Sequence, residues 1–250
     1  HGGGQTRHAW GGAAERLAQA GWCAYTIDQR GHGESDWHPD GAYEIDRFAE
    51  DVRGICRSFP TPPAVVGASL GGISSLIAQG ECDETVLSAL VLVDITPRVE
   101  KAGVERIINF MAARAETGFA TLEDCADYVA SYLPHRKRPK DLSGLMKNLR
   151  LRDDGRYYWH WDPRFVTDAE RRMEDRDPER MIAAARRLRC PTMLVRGGSS
   201  DLVSEEVARE FLDLVPQAEF ADVAGAGHMV AGDKNDAFTD AVLPFLTKNR

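Results

Sequence analysis

The chain has 250 residues, 43% of them hydrophobic and 28% charged, which suits one large packed domain or a domain carrying an insertion. A formal net charge of −8 sets it against nucleic acid and anionic membrane surfaces. No run approaches the roughly 20 apolar residues of a membrane helix, and no basic stretch leads into an apolar signal core. Five widely spaced cysteines with no CxxC pair speak against a disulfide framework or metal cluster and for a reducing cytosol. No metal and no cofactor is expected.

The chain opens on His1-Gly2-Gly3-Gly4, whose glycines let backbone approach a substrate closely. Trp10–Ala20 carries apolar residues at helical spacing, and Cys23–Ile27 reads as a buried strand. Ile45–Phe59 places Phe48, Val52, Ile55 and Phe59 on one helical face. Strand Ala64–Val66 then runs through a glycine turn into a helix over Gly72–Gln79. A further strand is expected at Ala89–Val93. Strand Thr192–Val195, helix Glu205–Leu214, alternating strand Glu219–Val223 and helix Ala237–Leu246 close the chain. Cys23 and Cys190, beside strands, read as small core residues. Strands alternating with helices predict an α/β fold, a mostly parallel sheet with helices on both faces.

The alternation breaks between about 97 and 188. Helices are expected at Val104–Ala115, Leu122–Leu133 and Pro178–Leu188, with little strand pattern. The division is therefore a core of 1–96 and 189–250 carrying an inserted helical cap, or lid, at 97–188. The basic run His135-Arg136-Lys137-Arg138-Pro139-Lys140 lacks interleaved aromatics and reads as a solvated loop. Tyr157-Tyr158-Trp159-His160-Trp161 offers large apolar surface with polar tips. Trp159, Trp161 and Met229 are candidate substrate contacts.

Gly67-Ala68-Ser69-Leu70-Gly71 fits G-x-S-x-G in the strand–turn–helix setting that gives this motif its meaning. A tight turn holds the serine out, and the helix N-terminus behind it favours negative charge. A serine nucleophile needs a base and the base an orienting carboxylate. His228, in a small-residue loop past the last strand, is the candidate base. Asp201, in the loop after Thr192–Val195, is preferred as the acid, with Asp94 after Ala89–Val93 as the rival. The order Ser69, Asp201, His228 matches the order of this motif class. The Leu70 amide, next to the nucleophile, and the opening glycines are candidate oxyanion donors.

These pieces together, HGGG at 1–4, DQRGHGES at 28–35, GASLGG at 67–72, GGSSD at 197–201 and GAGH at 225–228, resemble the α/β-hydrolase superfamily along nearly the whole chain. The resemblance implies Gly3 and Leu70 as the oxyanion amides and a structural role for the DQRGHGES turn. It also implies a strand before the HG pair, so the sequence reads as N-terminally trimmed, with an exposed sheet edge otherwise. A serine nucleophile implies a serine esterase, hydrolysing a small, partly apolar ester or lactone through an acyl-enzyme. Relatives sharing these motifs include cofactor-free peroxidases (perhydrolases) and enzymes that cleave C–C bonds or enol-lactones. A non-catalytic binding protein on the same fold is a further alternative. A dinucleotide oxidoreductase is disfavoured, because Gly31-His32-Gly33-Glu34-Ser35-Asp36 lacks the third glycine of the fingerprint. The expected partner is a small molecule, bound by a monomer or homodimer.

Overall fold

A computed structural model describes residues 1–133, 138–167, 177–233 and 235–250. Among them, four parallel strands form the main sheet: β1 (Ala64–Ala68), β2 (Ala89–Val93), β5 (Thr192–Gly197) and β6 (Glu219–Val223). Their spatial order is β1-β2-β5-β6. Every side chain of β2 is buried, as a strand covered on both faces requires. One face of the sheet holds Leu90, Leu92 and Leu194 against α3 (Leu70–Gly80) and α8 (Glu205–Leu214). The other holds Val91, Val93 and Val195 against α1 (Gly11–Gln19) and α9 (Asn235–Lys248). Period-two alternation along each strand thus serves two cores at once. Helix α2 (Ile45–Arg57) packs beside α3 and buries Phe48 and Ala49.

Cys23–Ile27 departs from expectation. It runs outside any hydrogen-bonded ladder. Cys23 is exposed rather than a core residue, whereas Cys190 is buried. Tyr25 is 67% exposed, its ring meeting Phe59 edge-on. An apolar alternating run becomes a strand only beside a partner that takes up its amides and carbonyls, and among the described residues no strand pairs with it.

The segment after β2 carries α4 (Lys101–Ala112) and α5 (Leu122–Tyr132) near their expected positions. It also carries a hairpin that the sequence pattern did not signal, β3 (Leu149–Leu151) antiparallel to β4 (Tyr157–Trp159). Its tip, Arg152–Gly155, is a turn with Gly155 at φ 75°. Met111, Phe119, Cys125, Leu149, Trp159, Trp161 and Val166 form a hydrophobic cluster of their own, extended by the short helix α6 (Arg164–Thr167). Helix α7 (Pro178–Arg186), expected in the lid, instead packs on α3, with Met181, Ala184 and Ala185 in the main core. Of the basic run, His135, Arg136 and Lys137 lie outside the described residues; Arg138 donates to Asp127 at 2.7 Å. Among the described residues no helix is long and apolar enough to cross a membrane.

Candidate active site

Ser69 sits between β1 and α3 at φ 45°, ψ −111°. Such a conformation costs a non-glycine residue on the order of 1–3 kcal/mol and persists only where its surroundings enforce it. They do so here. The Ser69 amide continues the β1–β2 ladder onto Val93 O at 3.2 Å, and its carbonyl accepts from Ile73 at 2.9 Å to begin α3. A Cβ on Gly67 would stand 2.5 Å from the Gly71 carbonyl oxygen. The two glycines of the motif are thus small because backbone passes backbone.

Asp94, the residue after β2, is the other non-glycine residue with positive φ among the described residues, at 51°. Its side chain is fully buried. Gly197 N donates to Oδ1 at 2.9 Å, and Ser200 Oγ donates to Oδ2 at 2.6 Å. His228 Nδ1 lies 2.7 Å from the same Oδ2. A carboxylate accepting from all three needs the His228 proton on Nδ1, which leaves Nε2 with its lone pair free to act as a base. The Ser200 hydroxyl is itself fixed, accepting from Leu202 and Val203 amides at 3.1 Å each.

Asp201, expected at this position, is elsewhere. Its Oδ2 pairs with Arg106 of α4 at 3.0 Å, with both side chains partly exposed. The reason lies in sheet order. β2 stands between β1 and β5, so the residue ending β2 is next to the Ser69 turn and under the loop after β5. Asp201 lies four residues past the end of β5, where the chain has turned outward to meet α4.

Ser69 and His228 face one cavity of about 620 Å³. Among the described residues no hydrogen bond joins the two side chains; the imidazole and hydroxyl share the space into which a substrate would enter, and such contacts commonly tighten only with substrate bound. The cavity roof is apolar and comes from the segment between β2 and β5, including Ile107, Phe110, Met111, Val129, Trp159 and Trp161. Met229 also lines the cavity. Tyr157, Tyr158 and His160 do not. His160 lies on the far side, its Nε2 accepting from Arg150 at 3.0 Å. Burial, then the Arg150 charge, holds its pKa below the ordinary histidine value.

Gly3 and Leu70 both line the cavity near Ser69. Leu70 opens α3, so its amide has no carbonyl within the helix to bond. In the opening glycine loop the Gly2 amide donates to Gln5 Oε1 at 2.9 Å and the Gly4 amide to His32 Nε2 at 3.0 Å. Between them the Gly3 amide has no acceptor among the described residues. Phe165 of α6 covers this loop, its ring 3.0 Å from where a Cβ on Gly3 would stand.

The base of the inserted segment is tied to the turn at 31–33. The Asp162 amide donates to Gly31 O at 2.8 Å, and Gly33 N donates to His160 O at 2.7 Å. The Asp162 carboxylate accepts from Tyr43 Oη and Arg164 Nη2, each at 2.6 Å. Burial raises the Asp162 pKa, but hydrogen bonds from Arg164 and Tyr43 outweigh it, leaving the carboxyl below its ordinary value. Burial, with the hydrogen bond to Asp162, pushes the Tyr43 hydroxyl up to about 12.

A parallel sheet covered by helices on both faces, with a strand–turn–helix at Ser69 and the Asp94–His228 pair at the neighbouring strand ends, is the architecture of an α/β hydrolase. Residues 1–241 match the profile of the alpha/beta hydrolase family, and the chain belongs to it. Its relatives are esterases and other hydrolases. Esterase Rv0045c of Mycobacterium tuberculosis is 29% identical over 98% of this chain and 80% of its own length. The 2-(acetamidomethylene)succinate hydrolase of Mesorhizobium japonicum is 30% identical over 88% of this chain and 77% of its own. A crystal structure of the M. tuberculosis esterase superposes with a TM-score of 0.78, covering 99% of this chain and 83% of that one at 27% identity.

Proposed function

We propose that the protein is a serine hydrolase cleaving a small, partly apolar carboxylic ester or lactone through an acyl-enzyme. Ser69 is the nucleophile, His228 the base and Asp94 the orienting acid. The observation that carries this reading is the His228–Asp94 hydrogen bond of 2.7 Å beneath a cavity that also holds Ser69. His228 Nε2 takes the Ser69 Oγ proton as Oγ bonds to the substrate carbonyl carbon. The electron pair moves onto the carbonyl oxygen, where the Gly3 and Leu70 amides stabilise it. Collapse breaks the ester bond, and His228 returns the proton to the departing alkoxide. Water then repeats the cycle on the acyl-enzyme and releases the acid. Asp94 stays ionised throughout and steadies the imidazolium. The esterase identity of the M. tuberculosis relative supports the same class of substrate here. The apolar roof, with Trp159, Trp161 and Met229 as substrate contacts, suits a chain or ring without charge at the acyl end.

A series of p-nitrophenyl esters from acetate to octanoate tests this, with a fluorophosphonate probe as an independent label. Wild-type protein is expected to hydrolyse the series and to be labelled at Ser69. Ser69→Ala should lose the label and at least about 10⁴-fold in kcat, as removal of a serine nucleophile does elsewhere. Full activity in Ser69→Ala would sink the reading.

A further inference from the structure

His32 is fully buried, yet it stands away from the reacting atoms and beneath the glycine loop. Its two ring nitrogens are both engaged. Nδ1 lies 2.9 Å from Arg30 O, and Nε2 lies 3.0 Å from the Gly4 amide. A carbonyl can only accept and an amide N–H can only donate, so the ring must be neutral with its proton on Nδ1. The ring is wedged against Phe165 at 4.7 Å, edge to face, and against His1 at 5.2 Å. Its own backbone is bridged to Trp161 of the inserted segment.

His1 secures the other side of the same loop. Its Nε2 accepts from the Gln29 amide at 2.9 Å, so its Nδ1 carries the proton and donates to Gly2 O at 2.8 Å. The Gly2 carbonyl and the Gly4 amide are thus both held by buried imidazoles, and the one loop amide without an acceptor among the described residues is that of Gly3, between them. Gly4 adopts φ 77° in a turn that the Gln5 amide closes onto Gly2 O at 3.1 Å, so the direction of the Gly3 amide is set by this turn together with the two imidazole-held groups that flank it.

We infer that His32 is a positioning residue for the reaction: by accepting from the Gly4 amide it fixes the peptide planes of the loop so that the Gly3 N–H points at the developing oxyanion, and it ties that direction to the seating of the inserted segment. The inference rests on the proposed role of Gly3. Preorganised donors cost no reorganisation as charge develops, and an unanchored glycine loop would forfeit that advantage. The loss would fall on the transition state, leaving substrate binding by the apolar roof intact.

Two substitutions separate this from a general packing role. His32→Phe keeps the ring against Phe165 but removes the acceptor, and His32→Gln offers Oε1 at the Nε2 position. Each is compared with wild type for kcat, KM, melting temperature and inhibition by a trifluoromethyl ketone, whose adduct carries the oxyanion. His32→Phe is expected to lower kcat by about 10²-fold, the scale of one lost oxyanion donor, and to weaken the ketone in proportion, with KM within about threefold. His32→Gln should recover at least half of that loss on a logarithmic scale. An active wild type with His32→Phe unchanged in kcat and ketone affinity overturns the positioning role alone. The same holds if Gln and Phe lose kcat equally and in step with melting temperature. A wild type that neither hydrolyses the esters nor binds the ketone overturns both this role and the hydrolase reading beneath it.

Discussion

Asp94 and Asp201 follow neighbouring strands of one sheet and face opposite surroundings. Asp94 is sealed, accepts three hydrogen bonds and never touches the cavity. Asp201 lines the cavity, and its carboxylate is spent on an ion pair with Arg106. The accessible carboxylate is thus the wrong one for orienting a histidine. A carboxylate that must stay ionised and motionless through a catalytic cycle gains more from fixed donors than from nearness to substrate. The three donors around Asp94 supply that, and the strained φ of 51° is the conformational cost that aims the side chain back under His228.

The largest effect expected from breaking this contrast is at Asp94. Asp94→Asn keeps the shape, but its amide nitrogen now confronts a donor. His228 is then driven to the tautomer with its proton on Nε2, where it cannot accept from Ser69. A fall in kcat of about 10³–10⁴-fold with little change in KM is expected, on the scale of the equivalent change in other serine triads. Steady-state kinetics on a p-nitrophenyl ester reads it directly. A loss under tenfold would remove Asp94 from the mechanism.

A smaller effect is expected at Ser200. Its hydroxyl donates to Asp94 Oδ2 while two amides fix it in place. Ser200→Ala removes one of the carboxylate's three donors and leaves the Leu202 and Val203 amides without their acceptor. A net contribution of roughly 1.5–3 kcal/mol for a hydrogen bond to a charged group bounds the loss in kcat at about 10–10²-fold. Steady-state kinetics on the same p-nitrophenyl ester reads the change, and a kcat indistinguishable from wild type would contradict the role.

What the sequence makes legible divides along the same line. Ser69 is readable because its requirements are local: a buried strand, a glycine two residues either side, a helix. Gly67 answers a backbone approach of near neighbours in the chain, Gly71 and Gly72, whereas Gly71 answers the backbone of His1. The choice of acid is not local. Ser–Asp–His order is satisfied by Asp94 and by Asp201 alike, and only the pairing order β1-β2-β5-β6 brings the end of β2 under the loop after β5. One cue was present: an aspartate following five consecutive apolar residues directly, with no turn residue between, must be buried or strained, and Asp94 is both. Cys23–Ile27 misleads for a related reason, since apolar alternation reports a side chain's preference and not the presence of a hydrogen-bonding neighbour. The hairpin Leu149–Trp159 was hidden because three-residue strands are too short for periodicity to register. His32 was hidden inside a turn whose glycines drew attention to backbone geometry; its role lies in contacts 28 residues away in sequence.

The smallest expected effect is at Asp201 itself, and it is the sharpest test of the contrast. The Arg106–Asp201 pair joins α4 to the loop after β5 at 3.0 Å, with side chains 54% and 36% exposed. Pairs exposed to this degree contribute about 0–1 kcal/mol, and salt screens them within a Debye length of about 8 Å at physiological strength. The junction has other supports that a side-chain change leaves alone. Gly103 of α4 lies so close to the Asp201 carbonyl that a Cβ there would overlap it, and the Glu100 amide donates to Leu202 O at 3.0 Å. Arg106 also lies over the Tyr132 ring, 5.1 Å from its centroid, so it keeps a partner when the carboxylate is gone. Asp201→Asn should therefore change kcat by at most about fivefold, the rate equivalent of 1 kcal/mol. The difference from wild type should shrink further as salt is raised. In the double variant with Asp94→Asn the two effects should add, because the residues share no hydrogen-bond partner. A loss at Asp201 comparable to that at Asp94 would show Asp201 acting on His228 as well. The division between a sealed orienting acid and an exposed lid contact would then fail.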